Sequence, residues 1–226
     1  MTFILNVLHH NYSLLAADRQ GNTDGPTTIT IGNVTINAPK GTRIEGFRKV
    51  KISKCGTVAV GVAGNTMEHK YFNNFESADG IDSALKSILD SIRDFLLSPD
   101  RSQNFSKPTM MQNEGIASFF DLTTSRYFSL LYLYTHLHAH SHWYQVASGS
   151  AMLLHVGSGS SEFETAVGLD EINGFVASLK VSSDPQACMD WIKDAYEKVS
   201  LVAKGVGKKP EFFLSTRSEK SFRVWE

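Results

Sequence analysis

The order of strand-like and helix-like segments predicts an α+β fold, a four-layer αββα sandwich of two antiparallel sheets flanked by helix pairs. Three observations point there. Strand-like runs come in sets of two or four instead of alternating singly with helices, which argues against a doubly wound parallel sheet. The helix-like segments come in two pairs, each with an apolar stripe that needs a surface to cover. The chain has 226 residues, 42% of them hydrophobic, so it can bury a sizeable core. A single domain over residues 1–226, with an inserted hairpin at about 20–46, uses every apolar face.

Residues 3–8 are apolar and β-branched, His9-His10-Asn11-Tyr12 reads as a turn, and residues 13–17 return as a second strand stopped by Asp18-Arg19. Residues 20–46 are rich in Gly, Thr, Asn and Pro, and a β-prone patch at 27–36 gives this insertion its hairpin. Residues 47–52 and 57–62 form the next strand pair around a turn at 53–56. Gly64-Asn65-Thr66 opens a helix with Met67, Tyr71, Phe72 and Phe75 on one face. A second helix carries Ile81, Leu85, Ile88, Leu89, Ile92, Phe95 and Leu96 at spacings of three and four. Pro99 and Pro108 mark 98–115 as a loop, and strand-like runs follow at 116–122, 126–137, 143–147 and 152–156. Ser161-Glu162-Phe163-Glu164 fits a capping box at a helix start. Asp184-Pro185 starts the last helix, whose stripe is Cys188, Ile192, Ala195, Val199 and Val202 and whose stop is Gly205. Strands at 211–216 and 221–225 close the chain.

Composition excludes several functions. The 22 basic and 23 acidic residues leave a net charge of −1, so no global field recruits nucleic acid or an anionic membrane. No run approaches the roughly 18 to 20 apolar residues that span a bilayer. The first ten residues lack the basic and small-residue features of a signal peptide, and the expected location is the cytosol. Cys55 and Cys188 cannot build a disulfide framework or a Cys-rich zinc site.

His136, His138, His140 and His142 alternate, so a strand would place all four on one face. Same-face neighbours without an acidic partner give poor tetrahedral geometry, and a solvated hairpin tip is the preferred reading over a metal site. Gly157-x-Gly159 lacks the third glycine of a dinucleotide loop, and Gly207-Lys208-Lys209 lacks the glycine spacing of a P-loop. No metal or cofactor is expected. The aromatic residues between Tyr127 and Tyr134 face a core or a subunit contact.

Thr2 is the candidate nucleophile. A threonine hydroxyl is a weak nucleophile until a base takes its proton. Removal of Met1 would give Thr2 a free α-amine of pKa about 7.7 to 8.0, a base on the same residue. With Met1 attached, that nitrogen is an amide and no base is present.

Four further segments occur in a telling order: Leu14-Leu15-Ala16-Ala17-Asp18, Arg48-Lys49-Val50, Val62-Ala63-Gly64-Asn65-Thr66 and Val156-Gly157-Ser158-Gly159-Ser160. Together with Thr2 they resemble the proteasome β-subunits and the bacterial HslV protease, members of the N-terminal-nucleophile hydrolase family. The likeness extends over essentially the whole chain, and the Gly/Thr-rich insertion resembles the lesser-known bacterial proteasome homologues more than a standard HslV.

The resemblance implies roles. Lys49 would orient the Thr2 hydroxyl and lower the pKa of the amine, and Asp18 would compensate the buried ammonium. The Gly64 N–H would meet the oxyanion, Ser158 would relay the amine's proton, and Val62 and Thr66 would line the substrate pocket. Plain structural roles stand beside these: Asp18 capping a turn, Lys49 a solvated strand charge, Gly64 and Ser158 starting helices. Family members carry a further aspartate and serine near the end of the last long helix. The stretch 200–207 here has no aspartate, and Ser200 is its one hydroxyl.

The implied activity is peptide-bond hydrolysis inside homo-oligomeric stacked rings. Peptides or unfolded proteins would be the substrates, and a separate ATPase the candidate delivery partner. A catalytically silent ring-forming scaffold and a small-molecule amidase are the alternatives.

Overall fold

β1 (Ile4–His9) and β2 (Tyr12–Asp18) form the expected N-terminal hairpin, with Ile4 opposite Ala17 and Val7 opposite Leu14. The computed structural model describes residues 2–22, 27–31, 34–39, 41–64, 73–97, 113–134 and 139–225. Every residue of both strands is buried, because successive side chains point to opposite faces and each face is covered. Phe3, Leu5, Val7, Leu14 and Ala16 share a core with Phe163, Ile192 and Tyr196, whereas Ile4, Leu15 and Ala17 share one with Val50, Ala59 and Ile116.

The insertion holds two ladders where one hairpin is expected. β3 (Gln20–Asn22) pairs with β6 (Arg43–Glu45), and β4 (Thr27–Ile31) pairs with β5 (Val34–Ala38). A bond from Phe47 N–H to the Arg19 carbonyl, 2.9 Å, closes the base of the insertion. The remaining strands are β7 (Val50–Ile52), β8 (Val58–Ala63), β9 (Asn113–Asp121), β10 (Arg126–Tyr134), β11 (Ala139–Gln145), β12 (Ala151–Val156), β13 (Pro210–Thr216) and β14 (Arg223–Trp225). They complete two five-stranded antiparallel sheets, ordered β12-β1-β2-β13-β14 and β11-β10-β9-β8-β7.

Five helices occur among the described residues: α1 (Asn73–Glu76), α2 (Ile81–Leu97), α3 (Ser160–Val167), α4 (Leu169–Leu179) and α5 (Pro185–Val202). The molecule is thus a mixed α+β fold built on antiparallel sheets. Residues of α3, α4 and α5 share the core on the β1–β2 side, and Phe75, Ala84 and Ile88 of α1 and α2 share one with Val58, Val60 and Val62 of β8. None of the helices is long and apolar enough to cross a membrane.

The two sheets also meet through hydrogen bonds. The Ser129 hydroxyl donates to Asn6 Oδ1 at 2.7 Å, and Ser13 and Ser118 share a bond of the same length. All four side chains are fully buried.

Several expectations need correction. Met67, Tyr71 and Phe72 lie outside the described residues; Phe75 is buried on α1. On α2, Ala84 and Ile88 are buried but Leu89 is 49% exposed, since it sits about 100° round the helix from Ile88. The capping box does not form: α3 starts at Ser160 with Gly159 as its N-cap, and the Ser161 hydroxyl bonds the Glu162 carboxylate instead. Gly168, at φ +92°, separates α3 from α4.

Asp184 caps α5 as expected, accepting from Gln186 N–H at 2.9 Å. Val202 is 58% exposed, however, and the helix ends there with Ala203 as its C-cap, before Gly205. Tyr127 and Tyr132 are fully buried. His140 and His142 are exposed on β11, and His136 and His138 lie outside the described residues.

Candidate active site

The hairpin register brings the two ends of its strands together. Thr2 and Phe3 lead into β1 and Asp18 ends β2, so the Asp18 carboxylate reaches Phe3 N–H at 2.8 Å. Lys49 immediately precedes β7 in the other sheet, and its ammonium meets both Asp18 oxygens at 2.8 Å. The Lys49 and Asp18 side chains are 2% and 0% exposed. A buried ammonium is costly without a counter-ion and further hydrogen bonds, and here the counter-ion lies in direct contact. Burial nonetheless outweighs the attraction of Asp18 and holds the Lys49 pKa below the ordinary lysine value.

The opposite side of Thr2 is held by the turn after β12. β12 pairs with β1, placing Val156 opposite Ile4 and residues 157–159 beside Thr2. Thr2 N–H donates to the Ser158 hydroxyl at 3.0 Å, and Gly159 N–H donates to the Thr2 carbonyl at 3.2 Å. Gly157 sits at φ +99°, and a Cβ there would lie 2.3 Å from the Thr2 carbonyl oxygen. Only glycine fits. Its N–H donates to Glu114 Oε2 at 2.8 Å, and Glu114 stands opposite Ala63 in the β8–β9 ladder.

The structure therefore gathers Thr2, Asp18, Lys49 and Ser158 around the start of β1. Gly64 follows β8 at φ +135°, and its neighbour Ala63 reaches within 3.2 Å of a Cβ built on Gly157. Val62 is 1% exposed and belongs to the core shared with Phe75 and Ile88, and Thr66 lies outside the described residues.

Four contributors have no motif in the sequence reading. Tyr196 on α5 lies fully buried, its hydroxyl 2.8 Å from the Phe3 carbonyl and 2.9 Å from that of Ala16. Burial, together with the nearby Asp18 charge, pushes its pKa well above the usual tyrosine value. Gly207 N–H donates to Asp18 Oδ2 at 3.2 Å, as does Gln20 N–H. The stretch 200–207 thus meets Asp18 through a backbone amide, while the Ser200 hydroxyl turns back to the Glu197 carbonyl. Glu114 is the fourth. An acid 43 residues before Gly157 gives no local signal of that contact.

Among the described residues, no group of three or more His, Cys, Asp or Glu side chains is placed to hold a metal ion. Comparison with known proteins finds no matching family model and no matching curated protein.

Proposed function

We propose that the chain is a threonine-type peptidase subunit of the N-terminal-nucleophile kind, folded as a four-layer αββα sandwich. The fold reading is supported by the two helix-side cores, one on each sheet, and by the third core that the sheets share. The observation that carries the function is the buried Lys49–Asp18 pair, whose carboxylate also binds the amide joined to Thr2.

After loss of Met1, the Thr2 amine takes the hydroxyl proton as Oγ attacks a peptide carbonyl. The Lys49 ammonium favours the developing alkoxide and lowers the amine pKa. The Gly64 N–H receives the oxyanion; such a donor is worth about 3 kcal/mol. Collapse leaves an ester on Thr2 and passes the proton from the α-ammonium to the departing amine. Water, deprotonated by the same amine, then releases the acyl group. Ser158, already bonded to the Thr2 nitrogen, holds that nitrogen in place throughout. Enclosure in homo-oligomeric rings belongs to this reading, because an open nucleophile of this kind would hydrolyse indiscriminately.

Intact-mass spectrometry with a threonine-reactive electrophile tests it. Loss of Met1, one label on Thr2, and a Thr2→Ala variant that assembles but does not turn over peptide are expected. Met1 retained on every subunit, with no label, would instead favour the silent scaffold. A labelled monomer by light scattering would favour the amidase.

A further inference from the structure

Four turns converge at the end of the sheets away from Thr2, about 20 Å along the six residues of β1. They line an open cavity of about 250 Å³. His10 comes from the β1–β2 turn, Ser125 from the β9–β10 turn, Arg126 from the first position of β10, Ser148 from the β11–β12 connection, and Arg217 is the residue after β13. We propose that this cavity binds a small oxyanion, a phosphate or carboxylate group, held between the guanidinium groups of Arg126 and Arg217. The site is separate from Thr2 and does not depend on the peptidase reading.

Charge is the first support. Two arginines line the cavity and no acidic side chain does. Among the described residues, neither guanidinium forms an ion pair with a carboxylate. Asp121, at the base of the β9–β10 turn, spends its oxygens on Thr123 N–H, Thr124 N–H and the Thr124 hydroxyl. Guanidinium forks match the paired oxygens of carboxylate and phosphate.

Unsatisfied polarity is the second support. His10 Nδ1 is buried with no hydrogen-bond partner, whereas native structures pair nearly all such atoms. The Ser125 and Ser148 side chains offer hydroxyl donors at the same wall, and Tyr127 and Val146 supply an apolar floor.

The turns are also tied to one another without a ligand. Arg217 N–H donates to the Asn11 carbonyl at 2.9 Å, and the Tyr127 hydroxyl bonds that of Ser215 at 3.0 Å. Arg126 continues one sheet and Arg217 the other, so an anion bridging them would link the two sheets and stabilise the native state by mass action.

The test is a titration of inorganic phosphate, and separately of succinate, into the full chain at low ionic strength, read by calorimetry and by Tm. Binding of either probe, with a rise in Tm, is expected. Phosphate binding assigns a phosphoryl group, and succinate binding without phosphate assigns a carboxylate. The R126A/R217A variant should bind at least tenfold more weakly, R126K/R217K should fall between, and Lys180→Ala, just past the end of α4, should match the wild type. Both arginines are exposed, so the variants should keep the wild-type Tm in the absence of anion. Failure of both probes to bind the wild type would overturn the proposal, as would equal binding by R126A/R217A.

Discussion

Asp18 presents two oxygens to five hydrogen bonds: one oxygen serves Phe3 and Lys49, and the other serves Lys49, Gln20 and Gly207. Asn at this position would keep the shape but, in either orientation, turn an NH2 group toward both the Lys49 ammonium and a backbone N–H. Asp18→Asn should therefore lose about 3–5 kcal/mol of stability, the usual result of removing one partner from a buried pair. Urea unfolding reads the loss, and peptide turnover should vanish with it. A variant as stable as wild type would show that Lys49 is not held by this charge.

Gly157 allows a sharper comparison at the same scale. Gly157→Ala places a methyl group 2.3 Å from a backbone oxygen at φ +99°, whereas Gly149→Ala, at φ +73°, meets nothing within 4 Å. Gly149→Ala should cost about 1 kcal/mol of left-handed strain alone. Gly157→Ala should cost clearly more and disturb the Thr2–Ser158 contact, visible as lost turnover or labelling. Equal costs for the two would mean that the turn relaxes without touching Thr2.

Elements were legible in the sequence where one physical rule dominated. β1 and β2 stand out because both faces are covered, which makes their apolar runs continuous. Asp184-Pro185 marks the start of α5 because a cap and a fixed φ act locally. Leu89 and Val202 were misplaced because periodicity gives the phase of an apolar stripe but not how far its cover extends. The buried ion pair of the site was legible as Asp18 and Lys49. The contribution of Gly207 was not, because it acts through a backbone N–H and no side-chain type signals that. Tyr196 was hidden beside the α5 stripe. Its hydroxyl joins α5 to the Phe3 and Ala16 carbonyls of the hairpin, one proton shared between two acceptors. Tyr196→Phe keeps the ring and removes that proton, so stability should fall by about 1–3 kcal/mol in denaturant unfolding. A loss near zero would mean that packing alone docks the helix.

At the scale of the whole molecule, acid sensitivity follows from the far end of β1. His9 is fully buried, its Nδ1 accepts from Asn11 N–H at 3.2 Å, and its Nε2 faces the Leu179 carbonyl at the end of α4 at 3.0 Å. The neutral imidazole with its proton on Nε2 satisfies both contacts, and a second proton on Nδ1 would confront an N–H. Burial, then the adjacent His10, lowers the pKa from 6.5 to about 4. Between those values the unfolded chain binds a proton that the folded chain refuses, so stability rises with pH through the window and falls on acidification. From pH 7 to pH 5 the loss due to His9 should be about 2 kcal/mol. His155, also held below its usual value by burial, pushes in the same direction. His9→Gln cannot titrate and should flatten the slope of unfolding free energy against pH in this window, with His9→Gln/His155→Gln flatter still. Carboxylate protonation dominates only at lower pH, so pH 5 to 7 isolates the histidines. An unchanged slope in His9→Gln would mean that His9 takes its proton in the folded chain as readily as in the unfolded one, and the β1–α4 contact would then not be a source of acid lability.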